Sequence, residues 1–513
     1  MGSHPVVIIG AGFGGLAAAL SLAADGVPVT VLERGPAPGG KARKVEVAGK
    51  QVDSGPTVLT MRWVFDELFK KAGLTLESVA DLRPADLLAR HAWVDGSRLD
   101  LFEDISRSAE AIETFSDAQN ADGYRRFCAD SAEVFNHLKT TFIVAEKPGF
   151  FELSRRMGLG SLGAQLKLRP FSTLWSALGD YFPDPRLRQL FGRYATYCGS
   201  SPFDAPATLM LVAHVEQAGG WRLAGGMSSL AWALASAAES LGAEICTDAE
   251  VTRILTRNGA VSGVELANGE KRAASAVIFN GDVSAVPELM SGVQNRAFQP
   301  VAEEERSLSA ITWSMSAEVK GFPLAYHTVF FTPDDYRAEF AAIFERRKMP
   351  EAGTVYVCAE DRLTDDVPRH GGPERLLCLV NAPATGDRNS PDDREVAICL
   401  ERSLALMERS GLHLQPGSLS VVPAGPKEFH RMFPGSGGAI YGPKTHGAMG
   451  AFRRAANRTP VPGLYLAGGS VHPGPGVPMA ALSGKLAAAC LVSDRASTRR
   501  FRRGGIFGGM STA

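Results

Sequence analysis

The first part of the chain alternates short apolar runs with turn-forming residues. The apolar run Val6–Ile9 predicts a buried parallel strand, and residues 16–24 predict a helix that stops at Asp25-Gly26. A second apolar run, Val29–Leu32, predicts the next strand. This order of strand, helix and strand is typical of an α/β fold with a parallel sheet.

A glycine-rich turn joins the first strand to the helix. Its residues are Gly10, Gly12, Phe13, Gly14 and Gly15. Gly10 permits a tight turn, Gly12 lets a pyrophosphate approach the backbone, and Gly15 lets the helix pack closely on the sheet. The helix N-terminus then presents free N–H groups and the positive end of its dipole to the phosphates. The turn therefore predicts dinucleotide binding.

An acidic residue ends the second strand. Glu33 stands where a carboxylate can accept hydrogen bonds from a ribose hydroxyl. A 2′-phosphate would be repelled there, so this position disfavours NADP. The sequence contains no second strand–GxGxxG–helix unit, which argues against a built-in nicotinamide domain.

The remaining pattern predicts two insertions into this nucleotide-binding unit. The first insertion is mostly helical, with helices over 63–72, 106–115, 123–139 and 184–197. The second has strands around 313–319, 354–358 and 376–380 and a long helix over 393–411. We therefore expect a discontinuous nucleotide-binding domain (1–60, 216–284 and 456–494), a helical cap (61–215), a substrate domain (285–455) and a basic flexible tail (495–513).

Composition narrows the class of protein. A chain of 513 residues predicts two or three domains, and 45% hydrophobic with 21% charged residues is ordinary for a globular protein. A formal net charge of −1 argues against nucleic-acid binding, which usually shows a basic excess. Seven scattered cysteines without a C-x-x-C pair indicate a reducing compartment and do not support a zinc site or a disulfide reductase.

Two observations bear on targeting. The N-terminus leads straight into the first strand, so we expect no signal peptide. The longest uncharged stretch, residues 459–484, contains five prolines, so we do not expect it to form a transmembrane helix.

Basic and large apolar side chains are interleaved in residues 153–179. The cations are Arg155, Arg156, Lys167 and Arg169, and the stretch has no acidic residue. This pattern fits an interfacial membrane segment, and it also fits a pair of core helices with a solvated basic edge. A second basic-aromatic patch over residues 495–507 would be attracted to anionic lipid by about 1 kcal/mol per Arg, or would form a disordered tail without a partner.

Several motifs resemble known flavoproteins. Arg34, Gly39, Gly40 and Lys41 are similar to the segment that follows the ribose acid in the amine-oxidase and carotenoid-desaturase superfamily. The turn 53–57, Gly-Gly-Met at 225–227 and His-Pro-Gly-x-Gly-Val-Pro at 472–478 resemble bacterial phytoene-desaturase-type carotenoid dehydrogenases. Residues 60–69, 438–442 and 476–481 resemble the 1-hydroxycarotenoid 3,4-desaturase branch, which serves spheroidene and spirilloxanthin synthesis.

The resemblance implies an α/β, Rossmann-like FAD-binding domain with a helical cap and a substrate-domain sheet, α+β overall. It implies contacts to FAD from Gly10, Gly12, Phe13, Gly14, Gly15, Glu33, Arg34, Gly39, Gly40, Lys41, Pro56, Thr57, Val251, Gly468, Gly469, Val477, Pro478 and Met479. Many relatives in the superfamily place a carboxylate near the ribityl chain in the last motif. Here Gly469 and Ser470 occupy that region.

The implied reaction removes two hydrogens across a C–C bond next to a polyene, one as hydride to flavin N5 and one as a proton. The implied substrate is an acyclic 1-hydroxy or 1-methoxy carotenoid, with quinone or oxygen as electron acceptor. Drawing a long lipid from a bilayer implies a peripheral location on the cytoplasmic side of the inner or intracytoplasmic membrane. His472 and His446 could take a proton near neutral pH or cap loops, and no catalytic base is assigned.

Three other functions stay open at this point. A phytoene desaturase or a flavin-dependent carotene isomerase would share the motifs. A non-catalytic prenyl-lipid carrier of the GDP-dissociation-inhibitor type would share the dinucleotide fold, although the paired pyrophosphate and C-terminal flavin motifs count against it. A soluble amine oxidase would carry an aromatic cage opposite the flavin.

Overall fold

A computed structural model of the protein describes residues 4–157, 169, 171–290, 298–332, 335–363, 367–368 and 371–504, without the side chains of residues 150, 151, 154, 157 and 498–504.

A five-stranded parallel sheet forms the centre of the nucleotide-binding unit. Its strands, in spatial order, are Leu464–Leu466, Ala276–Phe279, Val6–Ile9, Val29–Leu32 and Glu244–Cys246. Val6 and Ile8 face one side of the sheet, and Val7 and Ile9 face the other. All four are buried, as a parallel sheet covered on both faces requires.

Three helices and a small sheet cover the two faces. Helix Phe13–Ala24 packs between helices Gly226–Ser240 and Val477–Gly504 on one face. On the other face lies an antiparallel sheet of strands Val251–Arg257, Ala260–Leu266 and Lys271–Ala273. The predicted α/β fold class is therefore confirmed.

A seven-stranded sheet forms the second layer of the molecule. Its strands, in spatial order, are Ser420–Ala424, Ser309–Ala317, Glu374–Ala382, Val355–Ala359, His327–Phe331, Leu87–Trp93 and Arg98–Phe102. Neighbours are antiparallel except His327–Phe331 and Leu87–Trp93, which run parallel. Helix Asp393–Arg409 packs its apolar side on this sheet. Strands 87–93 and 98–102 are a correction to the sequence analysis, which placed this stretch in a mostly helical region.

Helices make up most of residues 105–217. Their bounds are Ile105–Phe115, Ala118–Leu138, Phe150–Met157, Leu174–Leu178, Pro185–Gly192 and Leu211–Gln217, with short π or 3₁₀ segments Lys139–Ile143, Arg193–Cys198 and Ala207–Met210. Aromatic rings fill the space between them. The rings of Phe182 and Phe191 stack at 4.6 Å, and Phe127 contacts both at 5.5 and 5.1 Å.

Short elements connect these layers. The helical ones are Trp63–Lys71, Leu76–Val79, Val283–Ala285, Val286–Leu289, Glu303–Glu305, Tyr336–Phe340, Ala341–Glu345, Pro416–Ser418, Pro426–Met432 and Gly450–Arg453. The strands pair as Arg43–Val47 with Lys50–Ser54, Leu82–Pro84 with Trp221–Leu223, and Val319–Lys320 with His413–Leu414.

The C-terminal helix differs from its sequence prediction. It runs through Gly504, so residues 495–504 are helical, whereas the sequence analysis assigned them to a flexible tail. Within the described helices, Val477–Ser497 has the length and apolar composition of a membrane span, and 61% of that apolar window is buried inside the protein. Burial against helix Phe13–Ala24 is also what a core helix would show. Part of the predicted basic-apolar segment, residues 158–168 and 170, and tail residues 505–513 lie outside the described residues.

Candidate active site

The glycine-rich turn leaves no room for side chains. Gly10 has φ of +95°, in the region that favours glycine. A Cβ at Gly15 would lie 2.0 Å from the Gly10 carbonyl oxygen, and one at Gly14 would lie 2.4 Å from Oδ1 of Asn280. Gly12 is the N-cap of helix Phe13–Ala24 and offers no side chain to cap it. The first N–H groups of this helix are therefore available to an anion.

Asn280 lies directly beneath this turn and was missed by the sequence analysis. It follows the buried strand Ala276–Phe279, and its amide Nδ2 donates to the Gly10 carbonyl at 3.1 Å. A Cβ at Gly468, in the last predicted motif, would meet Oδ1 of Asn280 at 2.8 Å. Asn280 thus brings the first and last motifs together. Its position after a parallel strand, at the edge where such sheets bind ligands, is the signal that could have identified it.

The Glu33 carboxylate is held in place by two backbone N–H groups, one of them from the glycine-rich turn. Its Oε2 accepts from the Ala11 N–H at 2.7 Å, and its Oε1 accepts from the Gly35 N–H at 2.8 Å. Each oxygen retains a lone pair for a ribose hydroxyl. Beyond it, a cavity of about 440 Å³ is lined by Arg34, whose guanidinium lies 3.7 Å from Glu250. Val251 is buried beside this cavity at the start of its strand.

The second glycine pair lies against the first. Gly39 forms a parallel bridge to Gly12 and donates its N–H to the Ala11 carbonyl at 2.9 Å. A Cβ at Gly40 would approach the Gly12 Cα at 3.3 Å. Two segments about thirty residues apart in the chain therefore form one concave glycine surface, suited to close approach by a phosphate.

Lys41 places a cation next to this surface. Its Nζ donates to the Ile440 carbonyl at 2.6 Å. Burial lowers the pKa of Lys41 and Asp282 opposes that shift, yet the side chain retains accessible surface. The buried Arg454 lies close enough to add to the positive potential there.

The last motif supplies a second helix N-terminus. Helix Val477–Gly504 begins with Val477, Pro478 and Met479. A Cβ at Gly14 would lie 3.0 Å from the Ala480 carbonyl oxygen, and one at Gly484 would lie 1.9 Å from the Gly14 carbonyl oxygen. The N-terminal turns of two helices therefore lie side by side. Two adjacent positive dipole ends favour a bound ligand that carries negative charge.

The turn after residue 53 connects the nucleotide-binding unit to the second sheet. Asp53 accepts from the Met227 N–H at 2.8 Å, at the start of helix Gly226–Ser240. Pro56 is half-buried, and the hydroxyls of Thr57 and Tyr356 are 2.6 Å apart. Tyr356 belongs to strand Val355–Ala359, so this hydrogen bond joins the two layers.

The histidines of the sequence analysis occupy structural positions. His472 is fully buried, its Nε2 lies 2.9 Å from the Ala145 carbonyl oxygen, and burial lowers its pKa to about 4. His446 accepts from the Ser201 N–H at 3.1 Å, and burial lowers its pKa to about 4 as well. Both rings are therefore neutral near pH 7. Ser470 is buried and accepts from the Val283 N–H at 3.1 Å.

The residues present fit a flavin dinucleotide. The glycine surface and the open helix N-terminus suit a pyrophosphate, Glu33 suits a ribose, and the start of helix Val477–Gly504 suits the electron-rich end of a reduced flavin. Phe13 packs behind the turn, with its ring edge-to-face with Phe65 at 6.0 Å. Gly468 and Gly469 close the far side, and the Gly469 carbonyl accepts from Arg454 at 2.9 Å.

Comparison with known proteins agrees with this geometry. Residues 13–492 match the family model described as flavin containing amine oxidoreductase. The chain belongs to this family. The family membership establishes FAD as its cofactor, as predicted.

Two relatives within this flavoprotein family cover almost the whole chain. Both are named hydroxyneurosporene desaturase. The one from Rubrivivax gelatinosus is 51% identical over 99% of this chain and 97% of its own length, and the one from Cereibacter sphaeroides is 43% identical over 96% and 99%. A solved structure of putrescine oxidase bound to putrescine shares the fold, with a TM-score of 0.62 and 16% identity over 96% of this chain and 99% of that one.

Proposed function

We propose that this flavoprotein is a carotenoid desaturase that introduces a C=C bond at C3–C4 of an acyclic 1-hydroxy or 1-methoxy carotenoid, in spheroidene or spirilloxanthin biosynthesis. The single observation that carries the proposal is the 51% identity, over nearly the full length of both chains, to a protein named hydroxyneurosporene desaturase. The name of the second relative and the flavin fold point to the same oxidation of a CH–CH bond.

The residues that hold FAD in this proposal are those predicted from the sequence, with Asn280 added. Gly12, Gly40 and Lys41 surround the pyrophosphate, and Glu33 binds the adenosine ribose. Val251 and Arg34 lie towards the adenine end. Thr57, Pro56, Gly468, Gly469 and the turn Val477-Pro478-Met479 lie towards the flavin end.

The protein mainly positions the substrate and excludes water in this reaction. Bound FAD supplies the hydride acceptor. Allylic conjugation lowers the barrier to hydride loss, so the chain must hold the C3–C4 bond in one orientation in a dry cavity. His472 and His446 are neutral and engaged in loop contacts, so we assign them structural roles.

Contact with a membrane surface is part of the proposal. A carotenoid resides in a bilayer, so the enzyme has to take it up from lipid, on the cytoplasmic side of the inner or intracytoplasmic membrane. Phe171 supports this, because 91% of its surface is exposed. Arg155 and Arg156 support it less than the sequence suggested, because both pair with Glu152. Quinone or oxygen would reoxidise the flavin.

The first experiment incubates the FAD-loaded protein with 1-hydroxyneurosporene in liposomes. The expected product is two mass units lighter, with a red-shifted absorption spectrum. Stepwise conversion of phytoene without reaction of 1-hydroxyneurosporene would keep the family and overturn the assigned substrate. Product of unchanged mass would indicate an isomerase. Co-flotation with liposomes, and its reduction in Phe171→Ser, tests the membrane contact separately.

A further inference from the structure

Arg193 and Tyr197 form a polar pair inside the helical region. They lie four residues apart in the short 3₁₀ helix Arg193–Cys198. Nη1 of Arg193 donates to the Tyr197 hydroxyl at 3.0 Å, and its guanidinium carbon lies 5.2 Å from the Tyr197 ring centroid and 5.4 Å from that of Tyr356. Arg193 is thus held between two aromatic rings, a geometry that suits a guanidinium.

Arg193 forms no direct ion pair with any carboxylate of the described residues. Within the described part of the chain, no carboxylate oxygen lies within 4.0 Å of its guanidinium, and Tyr197 is its only hydrogen-bond acceptor. A guanidinium carries five N–H donors. An interior cation with most of its donors unused is costly unless another acceptor binds there. Arg193 is therefore expected to bind an acceptor that the chain itself does not provide.

Glu216 accepts hydrogen bonds from two tyrosine hydroxyls, one of which is that of Tyr197. Tyr197 donates to its Oε1 at 3.5 Å, and Tyr194 donates to its Oε2. These contacts orient the Tyr197 hydroxyl, whose oxygen accepts from Arg193. The hydroxyl proton of Tyr197 is thus directed to Glu216, and the remaining N–H groups of Arg193 are the donors left for a ligand.

Arg193 also lies next to the predicted flavin contacts. Arg193, Tyr197, Glu216 and Tyr356 are each partly exposed. The hydroxyl of Tyr356 lies 2.6 Å from that of Thr57. Arg193 is therefore one aromatic ring away from the turn that we assign to the flavin end.

The proposed substrate offers an acceptor at the required place. The reacting bond is C3–C4, and the oxygen on C1 is three bonds from C3, roughly 4 Å away at ordinary bond lengths. An oxygen this close to the reacting bond must lie near the flavin. The rest of the substrate is a hydrocarbon and gives a buried cation nothing to bind.

We propose that Arg193 and Tyr197 bind the oxygen on C1 of the carotenoid and thereby set substrate specificity and the position of the C3–C4 bond. This inference rests on the proposed function. A site built to hydrogen-bond a substrate oxygen discriminates strongly against the analogue that lacks it, because the buried donors are then left unpaired.

The test compares two substrates, 1-hydroxyneurosporene and neurosporene, which lacks the oxygen. We expect the wild-type protein to prefer the hydroxylated substrate by at least roughly 100-fold in kcat/KM. Tyr197→Phe and Arg193→Met should each lower this preference at least about tenfold, mostly through loss of activity on the hydroxylated substrate. Tyr181→Phe, which removes a hydroxyl bonded to Asp130 at 2.6 Å, and Arg125→Met, on the exposed surface, should leave the preference unchanged.

Two outcomes would overturn the inference. One is an unchanged preference in both variants. The other is a parallel loss of activity on both substrates, which would assign Arg193 to the charge of the reduced flavin. FAD content is measured in every variant, and Tyr197→Phe, which preserves shape, decides the matter when Arg193→Met fails to fold. A flavin-loaded wild-type protein that oxidises neither substrate would instead refute the proposed function.

Discussion

The amide of Asn280 donates to the carbonyl oxygen of Gly10 across 3.1 Å, and this contact fixes the turn on which the cofactor site is built. The same side chain lies against Gly12, Gly14 and Gly468. One residue at the end of a central strand therefore sets the spacing between motifs that are more than 450 residues apart in the sequence.

Replacing Asn280 should weaken cofactor binding. Asn280→Ala removes the hydrogen bond and leaves the Gly10 carbonyl without this partner, at a cost of about 1–3 kcal/mol. If the FAD-bound protein is destabilised by this amount relative to the free protein, the FAD dissociation constant rises roughly five- to 150-fold. Flavin fluorescence titration measures it. Asn136→Ala, at an exposed helix position, is the control. Equal FAD affinity in the two variants would contradict the role given to Asn280.

Adding a methyl group at Gly15 should be far more damaging than adding one on the surface. The new Cβ of Gly15→Ala would lie 2.0 Å from the Gly10 carbonyl oxygen, so the turn has to shift, and overpacking of this kind costs about 1–3 kcal/mol or more. The purified variant should contain little FAD and melt at a lower temperature. Gly417→Ala, with open space around its Cβ, should match the wild type. Full flavin content in Gly15→Ala would show that the turn accommodates a Cβ at this position without loss of FAD binding.

The second sheet contains a buried ion pair whose loss should reduce stability. Nε of Arg362 donates to Oε2 of Glu374 at 2.7 Å, and both side chains are at least 89% buried. Arg362→Met leaves the carboxylate buried without this partner, and breaking such a pair costs roughly 3–5 kcal/mol. The midpoint of urea unfolding reports this loss. The double variant Arg362→Met/Glu374→Leu should recover part of the lost stability, because it also removes the buried carboxylate. A double variant that is no more stable than Arg362→Met would contradict the role given to this ion pair.

Stability should fall with rising pH because of Glu360. Burial, and then the charge of Asp53, raise the pKa of its carboxyl to about 8, from an ordinary value of 4.5. The folded protein therefore holds a proton that the unfolded chain releases, so stability falls progressively as pH rises from about 4.5 to about 8. Glu360→Gln keeps an oxygen for the Asp53 N–H, which is 2.7 Å away, but does not titrate.

The measurement for Glu360 is the melting temperature at pH 6 and pH 8. We expect the melting temperature of the wild type to fall more between pH 6 and pH 8 than that of Glu360→Gln. Carboxyls with lowered pKa values, such as Asp361 and Asp387, have already ionised below this window and should not contribute. Parallel pH curves for the wild type and the variant would show that Glu360 has no raised pKa in the folded protein.

The nucleotide-binding unit was largely predictable because its signals are local. Val6–Ile9, the glycine turn and Val29–Leu32 follow one another within 27 residues, and the structure has the strands where the apolar runs predict them. The helix begins at Phe13, three residues before the predicted start. The prediction was late because glycine has a low helix propensity, whereas close packing requires Gly14 and Gly15 in the first turn of this helix. Helix Asp393–Arg409 was also foreseen from its periodicity.

The second sheet was only partly predictable because its pairing is long-range. Strand Leu87–Trp93 lies next to His327–Phe331, more than 230 residues later, and an isolated apolar run does not reveal its partner. The pair of Arg193 and Tyr197 was missed for the same reason. Their spacing fits an ordinary helix turn, and only the contact with Tyr356 from a distant strand places Arg193 near the predicted flavin contacts.

The order of strands in the central sheet also dictates when the cofactor can be acquired. The edge strand Leu464–Leu466 and the helix that follows it come from the last tenth of the chain, yet they enclose the turn formed by the first fifteen residues. A nascent chain on the ribosome cannot assemble this enclosure until synthesis is nearly finished. We therefore expect flavin to bind only after residue 464 and the helix that follows it have been synthesised, and a truncation before residue 464 should yield a colourless protein however well its other segments fold.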